Sequence, residues 1–320
     1  MVLIRSISIS PPLINTSCAW ASDESQLTAL FDCPYTGAVT TRTATLRGFD
    51  EDASHTVAFL KHSLSSINSY GYSPHSLSKY IGPDGWIPTL LKRTPNSIKP
   101  FIISITASNP SELRDSLGAI QALRANPAWA PRVAVELNTS CPNIPGSPPP
   151  SYDPPALAPL LDVLADAFWA DTRLTVGLKL PPYVAHAHMA QLVRTLAAYS
   201  RVDTSALNPF AFLTCTNTLG NSVVFADEVD GTGTFAVPTV VGGLGGEAIH
   251  ALSVGNVYTF SKLLAESEDP AVREIVVIGA GGVTSPEAVA RMHRAGAQVV
   301  GCATFWGKFG VSALEQLAAV

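Results

Sequence analysis

A chain of 320 residues is long enough for two average domains or one larger one. With 47% hydrophobic and 14% charged residues it can bury a large core, which excludes a disordered chain. A net charge of −5 with no cluster of Lys and Arg argues against nucleic acid or an anionic membrane as partner.

In chain order, the first 22 residues are Ser-rich, contain Arg5 and lack acids, a composition shared with transit peptides. Their apolar residues nevertheless read as strands: Ile4, Ile7 and Ile9, then Leu13–Asn15. Further strands are expected at Ala38–Thr41, Phe101–Ile105, Val133–Leu137, Val176–Leu180, Ala211–Cys215, Glu274–Ile278 and Gln298–Cys302. Helices are expected at Glu24–Phe31, Pro110–Asn126, Pro154–Ala170, Ala185–Tyr199, Glu247–Glu266 and Pro286–Ala295. Pro110 and Pro286 follow Asn109 and Ser285, the pattern that opens helices. The strands are nearly continuously apolar, as in a parallel sheet covered by helices.

This alternation predicts a single (β/α)8 (TIM) barrel over residues 1–320, although a doubly wound sheet shares the local pattern. Insertions at Leu46–Leu91 and Thr218–Val241 are expected as lids over the C-terminal strand ends. No apolar run approaches the ~20 residues of a bilayer span. The five cysteines, Cys18, Cys33, Cys141, Cys215 and Cys302, are odd in number and lack a C-x-x-C spacing. That disfavours a disulfide framework or a zinc site and suits a reducing compartment.

Barrel chemistry gathers just after each strand. Gly279–Gly282 and Gly301–Cys302 are glycine turns at the last two strands, and Gly242–Gly246 is a further glycine run. Such turns let backbone N–H groups reach a phosphate, or are simply tight βα connections. Lys179 stands among apolar residues and needs a negative partner, either a ligand or Glu136. Residues 136–146, Glu-Leu-Asn-Thr-Ser-Cys-Pro-Asn-Ile-Pro-Gly, set Asn138 and Asn143 around Cys141. Amides suit a heterocycle with alternating carbonyl and N–H groups, and a thiol can serve as a base. Cys33 and Cys215 read as small buried hydrophobes.

The stretch 136–146 resembles that of class 1A dihydroorotate dehydrogenases. So do Ser-Ile-Asn-Ser-Tyr-Gly (66–71), Lys-Leu-Pro-Pro-Tyr (179–183), Thr-Asn-Thr-Leu-Gly-Asn (216–221), Gly-Gly-Leu-Gly-Gly (242–246) and Ile-Gly-Ala-Gly-Gly (278–282). They occur in the family's order across roughly residues 4–310. Cysteine at 141, where the membrane-associated class 2 has serine, and the loop length point to class 1A. The resemblance implies FMN, its phosphate on Gly245, Gly246, Gly281, Gly282, Gly301 and Cys302. Ser17, Arg42, Thr43, Asn138, Lys179 and Thr216 would line the rest of the cofactor. Dihydroorotate would be held by Arg42, Asn68, Asn138, Asn143, Asn217, Thr218 and the backbone of Tyr70, Gly71 and Tyr72. Cys141 would take the C5 proton as hydride leaves C6 for the flavin, and fumarate would be the acceptor. A cytosolic homodimer in pyrimidine (UMP) synthesis is implied.

The chain departs from the family at four places. Arg42 stands for a lysine, a change from a point charge to a planar fork. Thr16-Ser17-Cys18 stands for Ala-Ser-Gly, putting a side chain where glycine let the flavin approach. Pro148-Pro149-Pro150 stiffens a loop that normally moves. The sequence ends at Val320, where relatives have a further helical segment. These departures leave open a paralogous FMN oxidoreductase for another cyclic amide or small carboxylate, or a catalytically silent binding barrel.

Overall fold

The computed structural model describes residues 1–143, 149–201 and 206–319. Eight strands form one parallel sheet: β1 (Leu13–Asn15), β2 (Val39–Thr40), β3 (Phe101–Ile105), β4 (Val133–Asn138), β5 (Thr175–Leu180), β6 (Phe210–Cys215), β7 (Val276–Ala280) and β8 (Val299–Cys302). Their order, β1-β8-β7-β6-β5-β4-β3-β2, follows the chain around a barrel. At the seam between β1 and β2 an asparagine side chain replaces the strand ladder. Asn15 Nδ2 donates to Thr40 O at 2.6 Å, and Asn15 Oδ1 accepts from Thr40 N at 2.9 Å.

The strands are buried on both faces, which explains their unbroken apolar runs. The hairpin Val2–Ile4 and Ile7–Ile9 closes the N-terminal end of the barrel: Ile4, Ile7 and Ile9 pack with Ile14, Ile102, Phe212, Ile278 and Val299. Each buried isoleucine contributes about 1.5–3 kcal/mol. Alternation along a strand then lifts polar groups toward the opposite end. On β4 the buried series runs Ala134, Glu136, Asn138, and β5 offers Gly177 and then Lys179.

The helices Pro110–Arg124 and Pro286–Arg294 start where expected, with Asn109 and Ser285 side chains accepting from Glu112 N and Ala288 N. Some expectations are corrected. The seventh strand is Val276–Ala280, because Asp269 caps a short helix, Pro270–Arg273, that occupies the preceding residues. The helix expected from Glu247 begins with a 3-10 turn, Glu247–Ile249, before the α-helix His250–Ala265. The glycine run 242–246 is a strand that ends on Gly246. Val241–Gly246 lies between Leu219–Val223 and Ser65–Asn68 in a four-stranded antiparallel sheet completed by Val57–Phe59.

That sheet joins the two insertions, but the first also holds the helices Leu77–Ile81 and Trp86–Arg93. Leu77, Tyr80, Ile87 and Leu90 enter the main core, so these helices belong to the outer layer, not to a lid. Two helices also follow β8, Thr304–Phe309 and Val311–Leu317, burying Phe305, Trp306, Leu314 and Leu317. The chain therefore does carry helical structure after its last strand.

Candidate active site

A cleft of about 980 Å³, part of it open to solvent, lies over the C-terminal strand ends. Of the residues singled out above as site residues, only Gly301 does not line it. A Cβ on Gly301 would lie 2.4 Å from Thr16 Cγ2; it is a packing glycine, and Thr16 faces the cleft.

Polar side chains descend from the cleft into the barrel. Ser17 Oγ is 2.9 Å from Thr43 Oγ1, which lies 3.0 Å from Ser104 Oγ and accepts from Asn138 Nδ2 at 2.9 Å. Ser104 and Thr214 both donate to the buried Glu136 carboxylate, at 3.1 and 2.7 Å. Glu136 makes no ion pair with Lys179 within 4 Å. Lys179, 4% exposed, donates through Nζ to Ser17 O at 2.8 Å. Burial pushes its pKa down, opposed by the charges of Glu136, Cys18 and Cys141. A buried ammonium facing a cleft without a contacting carboxylate suits an anionic ligand.

The turn after β4 is fixed by its amides. Asn138 Oδ1 accepts from Ser140 N at 3.1 Å and Ser140 Oγ at 2.9 Å, and Asn217 Nδ2 donates to Ser140 Oγ at 3.0 Å. Cys141 follows, half-buried. Burial raises its thiol pKa; the backbone N–H of Asn143 and the charges of Lys179 and Arg42 oppose that rise. Asn143 Nδ2 donates to Tyr70 O at 2.9 Å, Asn68 Oδ1 at 3.1 Å and Asn68 O at 3.2 Å. Asn68 Nδ2 donates in turn to Gly243 O at 3.0 Å. Pro142 packs on the strands of the outer sheet, where a Cβ on Gly220 would approach it to 2.6 Å. The glycines of this sheet serve close approach, which accounts for the run 242–246.

At the other end of the cleft the backbone turns on Gly281 (φ +112°), Gly282 (φ +68°) and Gly246 (φ +77°). Added Cβ atoms would come within 2.1 Å of Ser253 Oγ, 2.5 Å of His250 Cβ and 2.2 Å of Leu64 O, respectively. All three line the cleft, and at each of them protein already packs where a side chain would stand. His250 Nδ1 sits 2.9 Å from Gly281 O while Arg291 Nε donates to His250 Nε2 at 3.0 Å, which assigns the Nδ1–H tautomer. Glu247 accepts from Leu64 N at 2.9 Å and Thr284 Oγ1 at 3.1 Å, joining the glycine turns to the outer sheet. Cys302 borders this region, its thiol pushed up to about 12 by burial.

The departures noted in the sequence are resolved in part. Cys18 lines the cleft with its thiol pushed up to about 11 by burial, so it stays protonated beside Lys179. Arg42 lies 3.0 Å from Glu51 and faces Tyr70. Pro148 falls outside the described residues; beyond it, Pro150–Tyr152 form a 3-10 turn pinned by Thr139 to Ser151 and by Tyr183 OH to Ser151 O at 2.8 Å. Sequence reasoning missed Trp20 and Glu51. Trp20 walls the cleft, braced by Trp306 Nε1 donating to its carbonyl at 3.1 Å and by a stack on Phe59. Its only signal was an aromatic beside the first strand end; Glu51 had none.

Among the described residues no group of three or more His, Cys, Asp and Glu side chains could hold a metal, and no helix is long and apolar enough to cross a membrane. The profile of the family described as dihydroorotate dehydrogenase matches residues 4–319. A probable dihydroorotate dehydrogenase A (fumarate) of Streptococcus pneumoniae serotype 4 is 30% identical over 79% of this chain and 71% of its own. A putative dihydroorotate dehydrogenase A (fumarate) of Streptococcus agalactiae serotype Ia is 26% identical over 98% and 89%. One of Streptococcus equi subsp. equi is 29% identical over 88% and 78%. With the profile spanning nearly the whole barrel and its strand-end loops, the chain belongs to the dihydroorotate dehydrogenase family.

Proposed function

We propose that this protein oxidises (S)-dihydroorotate to orotate in pyrimidine synthesis, with FMN as cofactor and fumarate as electron acceptor. The observation that carries the reading is Cys141 at the end of β4, with Asn68, Asn138, Asn143 and Asn217 lining one cleft with it. The cleft fits a flavin mononucleotide. Lys179 supplies a buried cation without a contacting carboxylate, and the positive-φ glycines Gly246, Gly281 and Gly282 line the cleft with bare backbone, which suits a phosphate. Ser17, Thr43, Asn138, Lys179 and Thr216 would hold the ring and ribityl chain, and Gly245, Gly246, Gly281, Gly282 and Cys302 the phosphate end. FMN, when bound, supplies the acceptor for the hydride that leaves C6.

The remaining chemistry belongs to side chains of this chain. Cys141, as thiolate, takes the proton from C5, and its bound proton is later lost to solvent or returned to the acceptor. Asn143, tied to Asn68 and Tyr70, fixes the turn that carries Cys141 beside the substrate. Asn138 and Asn217 orient the cyclic amide, with Thr218 beside them. The reading includes a cytoplasmic homodimer, as in the class 1A enzymes the chain resembles. The test is anaerobic: a purified yellow protein should bleach with dihydroorotate and regain its colour with fumarate. A flavin-loaded protein that dihydroorotate leaves yellow would favour the second reading, another cyclic amide or small carboxylate, for which Arg42 in place of the family's lysine is the supporting observation.

A further inference from the structure

Arg42 and Lys179 both line the cleft, yet their charges are held differently. Lys179 bonds to a backbone carbonyl, whereas Arg42 Nη1 lies 3.0 Å from Glu51 Oε2 and donates to Ser22 Oγ at 3.4 Å. The Tyr70 ring faces the guanidinium, 5.1 Å from Cζ to the ring centroid. Arg42 is 6% exposed, so solvent screens this pair weakly. Arg42 Nη2 and Glu51 Oε2 are both buried with no hydrogen-bond partner among the described residues, so the 3.0 Å pair is a contact of charges and not an aligned hydrogen bond. A buried donor left unmade is costly, and in a ligand cleft it calls for an acceptor on the ligand.

Both partners are anchored from behind. Arg42 N donates to Ala21 O at 2.9 Å, and Phe49 N, two residues before Glu51, donates to Ser73 O at 2.9 Å. Glu51 does not itself line the cleft, so it reaches a ligand only through Arg42.

We propose that Glu51 is a positioning residue: it offsets the charge of Arg42, which then presents one aimed N–H to a ligand carboxylate instead of acting as a free cation. The identity of that carboxylate rests on the dihydroorotate reading. Without Glu51, Arg42 would hold the product orotate too firmly and would stabilise a thiolate at Cys141. The charged and titratable groups facing that thiol are Lys179, Arg42 and the Tyr72 phenol.

Glu51→Gln removes the charge and keeps the shape, so the flavin-loaded variant isolates the effect. Two measurements read it: orotate binding from the flavin spectrum, and the pH dependence of Cys141 alkylation by iodoacetamide, mapped by mass spectrometry. Orotate should bind about tenfold tighter, a change of about 1.4 kcal/mol. The alkylation midpoint should move to lower pH by roughly half a unit, since an unopposed cation favours thiolate. Both effects should vanish when Arg42→Met is also present, and Glu51→Asp should behave as wild type. Unchanged binding and midpoint, or equal changes with Met at position 42, would overturn the proposal. Failure of the dihydroorotate reading shows separately, as a wild-type flavin that dihydroorotate does not bleach; alkylation then still decides the role of Glu51.

Discussion

Asn143 donates through Nδ2 to the carbonyl oxygen of Tyr70 at 2.9 Å, so the loop carrying Cys141 is latched to a segment more than seventy residues away in sequence. The same nitrogen reaches Asn68 O and Oδ1, and Asn68 continues to Gly243 of the outer sheet. The amide that the sequence suggests for substrate binding is thus also the latch of the cleft, with its donors engaged by protein.

Asn143→Ala should therefore leave FMN bound but loosen the loop. Misplacing a reacting group by about 1 Å can cost on the order of 10²-fold in rate. Stopped-flow flavin reduction by dihydroorotate should slow by roughly that factor, and a rate within twofold of wild type would remove the latch from the account.

Lys179→Met should lower the flavin reduction potential, because the buried cation that offsets negative charge is gone. Global stability should hold or rise, since the substitution removes a buried charge that no carboxylate contacts. Dye-coupled potential measurement on the FMN-loaded protein checks this; an unchanged potential would make Lys179 structural.

Gly281→Ala tests the phosphate end of the cleft. Its φ of +112° and the 2.1 Å approach to Ser253 Oγ make the substitution strained, at about 1–3 kcal/mol for the backbone alone. The barrel should still fold by circular dichroism, while FMN affinity measured by fluorescence falls at least tenfold. Full retention of FMN would place the phosphate elsewhere.

Asn15→Leu addresses the barrel seam. It strips Thr40 N–H and C=O of partners at 0% exposure of Asn15, costing about 1–3 kcal/mol per buried group. The urea midpoint should drop with little change in slope. An unchanged midpoint would show that β1 and β2 close without this side chain.

All eight barrel strands were legible because strands covered on both faces are apolar without interruption, and Asn109 and Ser285 announced their helices through capping. The strand-end residues followed, since β4 must end at Asn138 and β5 near Lys179. The run 242–246 was ambiguous because a glycine strand under Pro142 and a phosphate turn have the same composition; it forms a strand whose last residues, Gly245 and Gly246, line the cleft. Glu51 was illegible for another reason. Its partner Arg42 is nine residues away in an irregular insertion, where no periodicity relates the two.

The central claim, that Cys141 is the base of dihydroorotate oxidation, is tested most directly by the pH dependence of anaerobic flavin reduction in wild type and Cys141→Ser. Burial holds the thiol above its ordinary value of about 8.5, and thiolate is the active form. The wild-type rate should therefore rise with pH, about tenfold per unit, across pH 6 to 8.5. Cys141→Ser should keep FMN and be slower by roughly 10²–10⁴-fold near neutrality, the range of general-base contributions. Equal rates for the two proteins across this range, with FMN bound in both, would contradict the account.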